Sequence, residues 1–318
     1  MTSRGNPTVA AVDWGTSHLR LWLLDAAGRV LAERRSAEGL LSVPPQGFGA
    51  ILENHLTALQ TSPGLPVVIC GMAGSRQGWV EAPYASAPVA LDAVLAGAVG
   101  VAGSARKIRI VPGVAQREAD APDVMRGEET QLAGIAGLAS GDHLVCMPGT
   151  HSKWVEMRDG TIASFRTWLT GELFSLLSRQ SILRHTVADA GETVPPEAAP
   201  FRKACLEALR QGGDISAPLF RIRAAGLLAG LAPQDAAAML SGLLIGAEIA
   251  SATRCFAAVD KKPVTLVASA ALTPLYRTAL ELADHEVRVE DADAAVRAGL
   301  FAAARQLGMV ESRDRATA

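Results

Sequence analysis

The sequence lacks runs of charge of one sign. Lysine and arginine total 30 against 32 aspartates and glutamates, which leaves a net charge of −2. Binding to nucleic-acid phosphates requires a basic face, and base stacking requires aromatic side chains. Aromatic residues make up only 4% of the chain. We therefore expect no nucleic-acid partner.

Cysteine is sparse and is never clustered. Cys70, Cys146, Cys205 and Cys255 are far apart and form no CxxC motif. Isolated thiols of this kind are typical of a reducing compartment. The start, MTSRGNPTVAAVDWG, also lacks the apolar core of a secretion signal. These features predict a cytoplasmic protein.

A long uninterrupted apolar run is also missing. The nearest approach is residues 236–259, where Glu248 and Arg254 interrupt a stretch rich in alanine and glycine. Such a stretch favours a buried core helix over a membrane span, so we expect no membrane partner.

One sequence pattern occurs twice in the chain. VDWGTSHLRLW at 12–22 and VCMPGTHSKWV at 145–155 each read as a buried strand, a Gly-Thr turn and a second strand. A hairpin glycine and a third strand follow each copy, at Gly28 and at Gly160. This order predicts a duplicated unit. Strand and helix patterns alternate along the rest of the chain, including helices near 128–140 and 169–183, so the predicted class is α/β.

A turn of Gly, Thr and Ser after a strand is suited to binding phosphate. Its backbone N–H groups and hydroxyls converge, and glycine allows an anion to approach closely. Asp13 stands where the first turn opens and could hold Mg²⁺, although an Asx turn explains it equally well. The second copy has Met147 there. Lys153 then either supplies charge to the second turn or lies on the surface, and His151 is either a phosphate donor or a buried, hydrogen-bonded turn residue.

Several segments together resemble the 2-dehydro-3-deoxygalactonokinase family of the sugar kinase, Hsp70 and actin superfamily. They are DWGTSHLRLWLLD, CGMAGSRQGWVEAPY, DVMRGEETQLAG, PGTHSKW, WLTGELFSLL and LSGLLIGAE. The resemblance implies an α/β fold with two domains of duplicated ribonuclease-H-like topology and a central nucleotide cleft. We expect an N-terminal domain over 1–115, a C-terminal domain over 116–293, a closing helix at 294–308 that packs back on the first domain, and a disordered tail at 311–318.

The resemblance implies phosphoryl transfer from ATP with Mg²⁺ to 2-dehydro-3-deoxy-D-galactonate, at O6, in galactonate catabolism. Asp13 would serve the metal. The residues implied in phosphate binding are Gly15, Thr16 and Ser17 in the first turn and Gly149, Thr150, Ser152 and Lys153 in the second.

For the catalytic base, the resemblance points to the acidic pair in MRGEETQL. Glu128 is favoured over Glu129, since GEEE-type helix starts in related exopolyphosphatases supply a glutamate base. Helix-start acids also complement the helix dipole, so capping explains at least one of them. Asp123 in the preceding loop is the rival, because other sugar kinases of the superfamily use aspartate.

A sugar-acid carboxylate calls for a cation or several donors. Arg76 and Trp79 in SRQGW, with Arg20 and Thr170, are the candidate substrate contacts. Arg126 beside the acidic pair is read as a charge that neutralises it. The adenosine site would be at Ala268 and Ser269, although Ala268 and Ala270 stand where the superfamily commonly has glycine.

Other readings stay open. A superfamily phosphatase acting on polyphosphate or a nucleotide would use water in place of the sugar, and a nucleotide-dependent binding protein would close without chemistry. The gluconate-derived epimer is an alternative substrate. These residues do not define the oligomeric state, and a homodimer stays open.

Overall fold

A computed structural model describes residues 6–44, 46–188, 194–256 and 263–310. The predicted tail at 311–318 lies outside the described residues. The strands are β1 (Val9–Trp14), β2 (Leu19–Leu24), β3 (Val30–Ser36), β4 (Val67–Gly71), β5 (Ala85–Ser86), β6 (Val89–Ala90), β7 (Val99–Gly100), β8 (Ile108–Ile110), β9 (Val114–Gln116), β10 (Asp123–Met125), β11 (Asp142–Met147), β12 (Ser152–Arg158), β13 (Thr161–Trp168), β14 (Val264–Ala268) and β15 (Val287–Asp291).

The described residues also form a set of helices. They are α1 (Phe48–Ala58), α2 (Leu91–Ala96), α3 (Glu128–Ala133), α4 (Thr170–Arg179), α5 (Arg184–Val187), α6 (Ala199–Arg210), α7 (Ser216–Leu228), α8 (Pro233–Cys255), α9 (Thr273–Leu282) and α10 (Ala292–Gln306). Short 3-10 turns span Leu40–Ser42, Met72–Gly74 and Ala136–Ala139.

Helix α8 contains the most apolar stretch of the chain. By length and composition alone it could cross a membrane, but 78% of its most apolar window is buried inside the protein. It packs against α6 and contributes to two apolar clusters, around Phe201 and around Leu240. This agrees with the predicted core helix.

The chain divides into two compact units. Unit 1 takes in the described residues up to Ser140, the short segment Asp159–Ala163 and the residues from Ala292 onward; unit 2 takes in Gly141–Arg158 and Ser164–Asp291. The division therefore comes later than the expected boundary at residue 115. Residues that follow it, in β10 and α3, pair with β9 and pack against α10, which keeps them in unit 1. Helix α10 itself packs against β1 and β4.

Unit 1 is built on a sheet of order β3-β2-β1-β4-β8, with β7 at its edge. Strands β1, β2 and β3 are antiparallel neighbours, while β4 is parallel to β1 and β8 is parallel to β4. All side chains of β1 are buried. Those of Ala10, Val12 and Trp14 share an apolar cluster with residues of α1, and α10 also packs against the strand. A separate small sheet has the order β10-β9-β5.

Unit 2 repeats this plan in the order β13-β12-β11-β14-β15, to which β13 contributes its residues from Ser164 onward; the first residues of β13 belong to unit 1 and pair there with β6. Strands β11 and β12 are antiparallel, while β14 is parallel to β11 and β15 is parallel to β14. The hairpin glycines Gly28 and Gly160 have φ of 77° and 72°, a backbone region open to glycine at little cost. The predicted duplication of a ribonuclease-H-like topology in an α/β fold is confirmed.

Helices α3 and α10 touch backbone to backbone. A Cβ atom on Gly134 would lie 1.9 Å from the carbonyl oxygen of Ala295, and one on Gly299 would lie 1.8 Å from that of Thr130. Gly134 is also where α3 ends, so the helix predicted over 128–140 is a short helix followed by a 3-10 turn. The two glycines fix the position of α3 on α10.

We expect Gly299→Ala to lower the free energy of unfolding by about 1–3 kcal/mol, because a methyl group forces the helices apart. Gly137→Ala is the matched control, since nothing lies within 4 Å of a Cβ atom at that position. Urea denaturation measures both variants. Equal stability of the two would contradict the packing described for α3 and α10.

Candidate functional site

The first Gly-Thr turn joins β1 to β2 and is held in place by its backbone. Gly15 N–H donates to the carbonyl oxygen of His18 at 2.9 Å, and the N–H groups of Leu40 and Leu41 donate to the oxygens of Gly15 and Thr16. The side chains of Thr16 and Ser17 are exposed. The turn is therefore preformed, and its two hydroxyls face solvent.

Asp13 is the start of a chain of alternating charges. It is 7% exposed, and it pairs across the β1–β2 ladder with Arg20, whose guanidinium donates to Asp13 Oδ2. Arg20 also donates to Asp293 at the start of α10, and Asp293 accepts from Arg35 at 2.6 Å. Although burial lowers the pKa of Arg20, the charges of Asp13 and Asp293 outweigh it and raise that pKa. Arg20 is thus a fixed cation between two carboxylates.

The surroundings of Asp13 define what metal role it can take. Its Oδ2 is paired with Arg20, while the thiol of Cys70 donates to its Oδ1 at 3.7 Å. Within the described residues, no group of three or more His, Cys, Asp or Glu side chains is placed to hold a metal ion. Mg²⁺ in kinases keeps several waters and takes one or two carboxylates together with substrate phosphates. One carboxylate at the opening of a Gly-Thr turn fits that donor set.

The acidic pair opens α3 beside Gly71. Gly127 has φ of 109°, and a Cβ atom there would lie 3.6 Å from the Cα of Gly71. Glu128 is partly exposed, and its Oε2 accepts the Arg126 N–H at 2.9 Å. This carboxylate is oriented by the backbone and can still reach a ligand.

Glu129 differs from its neighbour because it is fully buried. It accepts the Gly127 N–H at 2.7 Å and the Thr130 hydroxyl at 2.9 Å. Burial, and then the charge of Glu128, raise its pKa from 4.5 to about 8. Burial and the charges of Asp13 and Glu129 likewise hold the pKa of the Cys70 thiol well above its usual value. Asp13, Cys70 and Glu129 therefore belong to one cluster, in which Glu129 is the protonated acid at neutral pH.

Asp123 lies at the start of β10, in the small sheet. Its Oδ1 accepts the N–H of Val124 at 2.7 Å, which is a local turn interaction. Nothing in this contact favours Asp123 over Glu128 as a base.

The SRQGW loop packs against the core through Trp79 and is exposed at Arg76. Trp79 stacks on Phe48 with 6.2 Å between ring centroids and packs against the core of unit 1. Arg76 is exposed, so its guanidinium can reach a ligand. Trp79 mainly anchors the loop from which Arg76 extends.

The second Gly-Thr turn is covered by the start of α4. Gly171 lies so close that a Cβ atom there would be 2.4 Å from the carbonyl oxygen of Gly149, and Glu172 N–H donates to that of Thr150 at 2.9 Å. His151 bonds to the carboxylate of Glu172 but is exposed, so its predicted alternative as a buried turn residue is wrong, although the hydrogen bond is present. Thr150 itself stays exposed.

Ser152 and Thr170 are turned inward. Both hydroxyls donate to the buried carboxylate of Glu248 on α8, together with Trp154 Nε1 at 2.8 Å and Tyr276 Oη at 2.7 Å. Their hydroxyls are therefore committed within unit 2, and direct phosphate or sugar contact through them is not retained. Burial raises the pKa of Glu248 against the effect of these four hydrogen bonds.

Lys153 is 5% exposed, so the surface alternative for it is wrong. It pairs with Met147 across β11 and β12, at the register that Arg20 and Asp13 occupy in unit 1. In each unit, therefore, the second residue of the strand after the turn is a cation: Arg20 in β2 and Lys153 in β12.

An apolar cavity of about 220 Å³ lies in unit 2 beside this turn. Its lining includes Gly149, Ser241, Leu244, Ala271 and Leu272. Ala268 is buried at the end of β14, whereas Ser269 is exposed just before the cavity wall. The wall nearest the predicted adenosine residues is therefore formed by Ala271 and Leu272.

A family model described as 2-keto-3-deoxy-galactonokinase matches residues 13–303. The chain belongs to this family. Members of the 2-keto-3-deoxy-galactonokinase family are also found among the similar proteins of known sequence and structure, and the matched range includes both turns, the acidic pair and most of α10.

A protein of Rhizobium meliloti (strain 1021), provisionally named 2-dehydro-3-deoxygalactonokinase DgoK1, is 52% identical over 94% of this chain and 97% of its own length. The 2-dehydro-3-deoxygalactonokinase of Escherichia coli (strain K12) is 37% identical over 91% and 95%. A crystal structure from Sinorhizobium meliloti, provisionally given the same enzyme name, superposes with a TM-score of 0.89 at 51% identity, covering 94% of this chain and 99% of that one.

Two residues of the site were not singled out from the sequence as site residues. Asp293 acts on Arg20 from the far end of the chain, and no local pattern marks it. Glu248 did carry a signal, because a carboxylate inside an apolar helix requires buried partners.

We expect the Glu129 carboxyl to make stability fall as pH rises. Its folded-state pKa of about 8 lies above the ordinary 4.5, so between these values the unfolded chain loses the proton first and unfolding is favoured. Urea denaturation of the wild type and Glu129→Gln from pH 4.5 to 8.5 should show the wild type losing on the order of a few kcal/mol relative to the variant. Parallel pH profiles would contradict a neutral Glu129.

We expect Glu248→Leu to lower the free energy of unfolding by about 3–5 kcal/mol, because it leaves buried donors without their acceptor. Glu281→Leu on α9 is the control, since Glu281 is exposed and pairs only with Arg277 at the surface. Thermal and urea denaturation measure both. A loss no larger than the control's would show that the Glu248 network contributes little.

Proposed function

We propose that the protein transfers the γ-phosphoryl group of ATP to 2-dehydro-3-deoxy-D-galactonate. The observation that carries this proposal is family membership over residues 13–303, supported by relatives of that name whose lengths are matched almost fully. The preformed Gly-Thr turns and the apolar cavity of unit 2 are consistent with a nucleotide. We place the enzyme in the cytoplasm, acting in galactonate catabolism.

Glu128 is the proposed base. Its carboxylate would accept the proton of the O6 hydroxyl while the oxygen forms a bond to the γ-phosphorus and the bond to the β-phosphate oxygen breaks, releasing ADP. The Arg126 N–H that binds Glu128 Oε2 orients this carboxylate, which is partly exposed to solvent. Glu129 is buried and protonated at neutral pH, so it suits support of the Gly127 turn better than proton removal.

Phosphate contacts are assigned to the exposed parts of the turns. Thr16 and Ser17 would donate hydroxyls in unit 1, with Gly15 allowing close approach; Gly149 and Thr150 would serve in unit 2. Asp13 would hold Mg²⁺ through its water shell, and the ion would neutralise phosphate charge. Arg20 would hold the Asp13 carboxylate in place through their ion pair. The adenosine would occupy the cavity lined by Ala271 and Leu272, adjoining Ala268 and Ser269.

The experiment measures ADP formation by the purified protein with MgATP, with and without the sugar acid and its gluconate-derived epimer. ADP that forms only with the galactonate compound supports the proposal. ADP formed equally without any sugar acid would overturn it in favour of a phosphatase. No ADP under any condition would indicate a nucleotide-dependent binding protein without kinase activity. A preference for the epimer would identify the epimer as the substrate.

We expect Glu128→Gln to lower kcat by roughly 10²–10⁴-fold with little change in KM, because the amide cannot take the proton. Asp120→Asn, at an exposed position of the same segment, is the matched control. Asp123→Asn tests the rival base. A greater loss in Asp123→Asn than in Glu128→Gln would move the assignment to Asp123.

A further inference from the structure

Three polar atoms on two neighbouring segments of unit 1 are buried without a hydrogen-bond partner among the described residues. They are Nε and Nη1 of Arg126 and the hydroxyl oxygen of Ser75. Leaving a buried donor unpaired costs about 1–3 kcal/mol, and more for a charged group. Such a cluster indicates a ligand-binding position.

The Arg126 guanidinium is fixed from several sides. It lies 4.3 Å from the ring centroid of Tyr84, and its Nη2 donates to the carbonyl oxygen of Ala82 at 2.9 Å. Tyr84 is in turn held against Gly113, where a Cβ atom would come within 2.7 Å of the ring. The cation is thus positioned by contacts that leave Nε and Nη1 unused.

Ser75 is brought to the same place by its loop. A Cβ atom on Gly74 would lie 2.8 Å from Arg126 Nη1, so the backbone next to Ser75 borders the guanidinium. Ser75 is 9% exposed, and its N–H and C=O are bonded within the loop, to Met72 and Gly78. Its hydroxyl is the part left for a ligand.

We propose that Arg126 and Ser75 bind the carboxylate of the sugar acid and so determine the enzyme's preference for acids over neutral sugars. This inference rests on the proposed function. An anion matches a buried cation with spare donors. Arg126 is also two residues from Glu128 and donates its backbone N–H to that side chain, so one short segment would both bind the acid end and activate the hydroxyl. This replaces the reading of Arg126 as a charge that neutralises the acidic pair.

The first test compares the sugar acid with its carboxamide, which has the same shape without the charge. In Arg126→Met, kcat/KM for the acid should fall roughly 10–100-fold, through KM, while that for the carboxamide changes less than about threefold. Ser75→Ala should show a smaller loss of the same kind. Arg117→Met, at an exposed arginine of the same unit, should match the wild type.

Two results would overturn the proposal. Equal losses with acid and carboxamide would mean that Arg126 only supports the fold. A loss confined to KM for ATP would mean that it serves phosphate. Arg76→Met run alongside identifies the rival, because a selective loss of the acid in that variant and not in Arg126→Met moves the carboxylate site to Arg76.

The second test does not depend on turnover. Pyruvate has the same carboxylate, keto group and third carbon as the head of the sugar acid, and its binding is measured by calorimetry. The wild type should bind it, and Arg126→Met should bind it at least tenfold more weakly. If the wild type phosphorylates no sugar acid but binds pyruvate through Arg126, the proposed function fails and the carboxylate site stands. If pyruvate binding is absent or unchanged in Arg126→Met, the site fails.

Discussion

A charge taken out of water must be given a partner inside the protein, and this requirement organises both units. In unit 1 the partners form a line, in which Arg20 joins Asp13 on β1 to Asp293 on α10. In unit 2 they converge, because four donors from different segments meet on Glu248. In each case the polar contacts connect a sheet to the helices that cover it, so the element that presents a turn to a ligand is fixed by charge as well as by apolar packing.

The two units share a topology but not a chemistry. In the strand before the first turn, the penultimate residue is a carboxylate, Asp13, paired with Arg20, whereas the strand before the second turn ends with Met147 opposite Lys153. The duplicated backbone therefore forms the same hairpin twice, while the side chains at the matching register differ between the two units. Unit 1 has the acidic groups suited to metal and proton, and unit 2 has the apolar cavity suited to a nucleoside.

Much of the fold follows from local sequence. The apolar runs around both Gly-Thr turns, each followed by a hairpin glycine, predict three strands in each copy. The structure has these strands, with Gly28 and Gly160 at positive φ. What local sequence cannot give is the effect of distant contacts. Helix α3 ends at Gly134, where Ala295 of α10 lies too close for any side chain, and no pattern within 128–140 indicates that contact.

The same limit applies to the site. Asp13, the turns and the acidic pair stand out as residue types in the right order, but which of their atoms remain open depends on neighbours far along the chain. Ser152 and Thr170 look like phosphate or sugar donors until Glu248 is found beneath them. Arg126 looks like a neutralising surface charge until Ala82, Tyr84 and Gly74 are seen to enclose it.

Unit 1 is assembled from both ends of the polypeptide, since α10 returns to it after the whole of unit 2 has been traced. On the ribosome, most of the first sheet emerges early but lacks the helix that brings Asp293 to Arg20 and Gly299 to α3. Unit 2 is complete in sequence by residue 291, so it is free to finish folding before unit 1. The ion pairs of Asp293 with Arg20 and Arg35 can consequently form only after α10 has been synthesised.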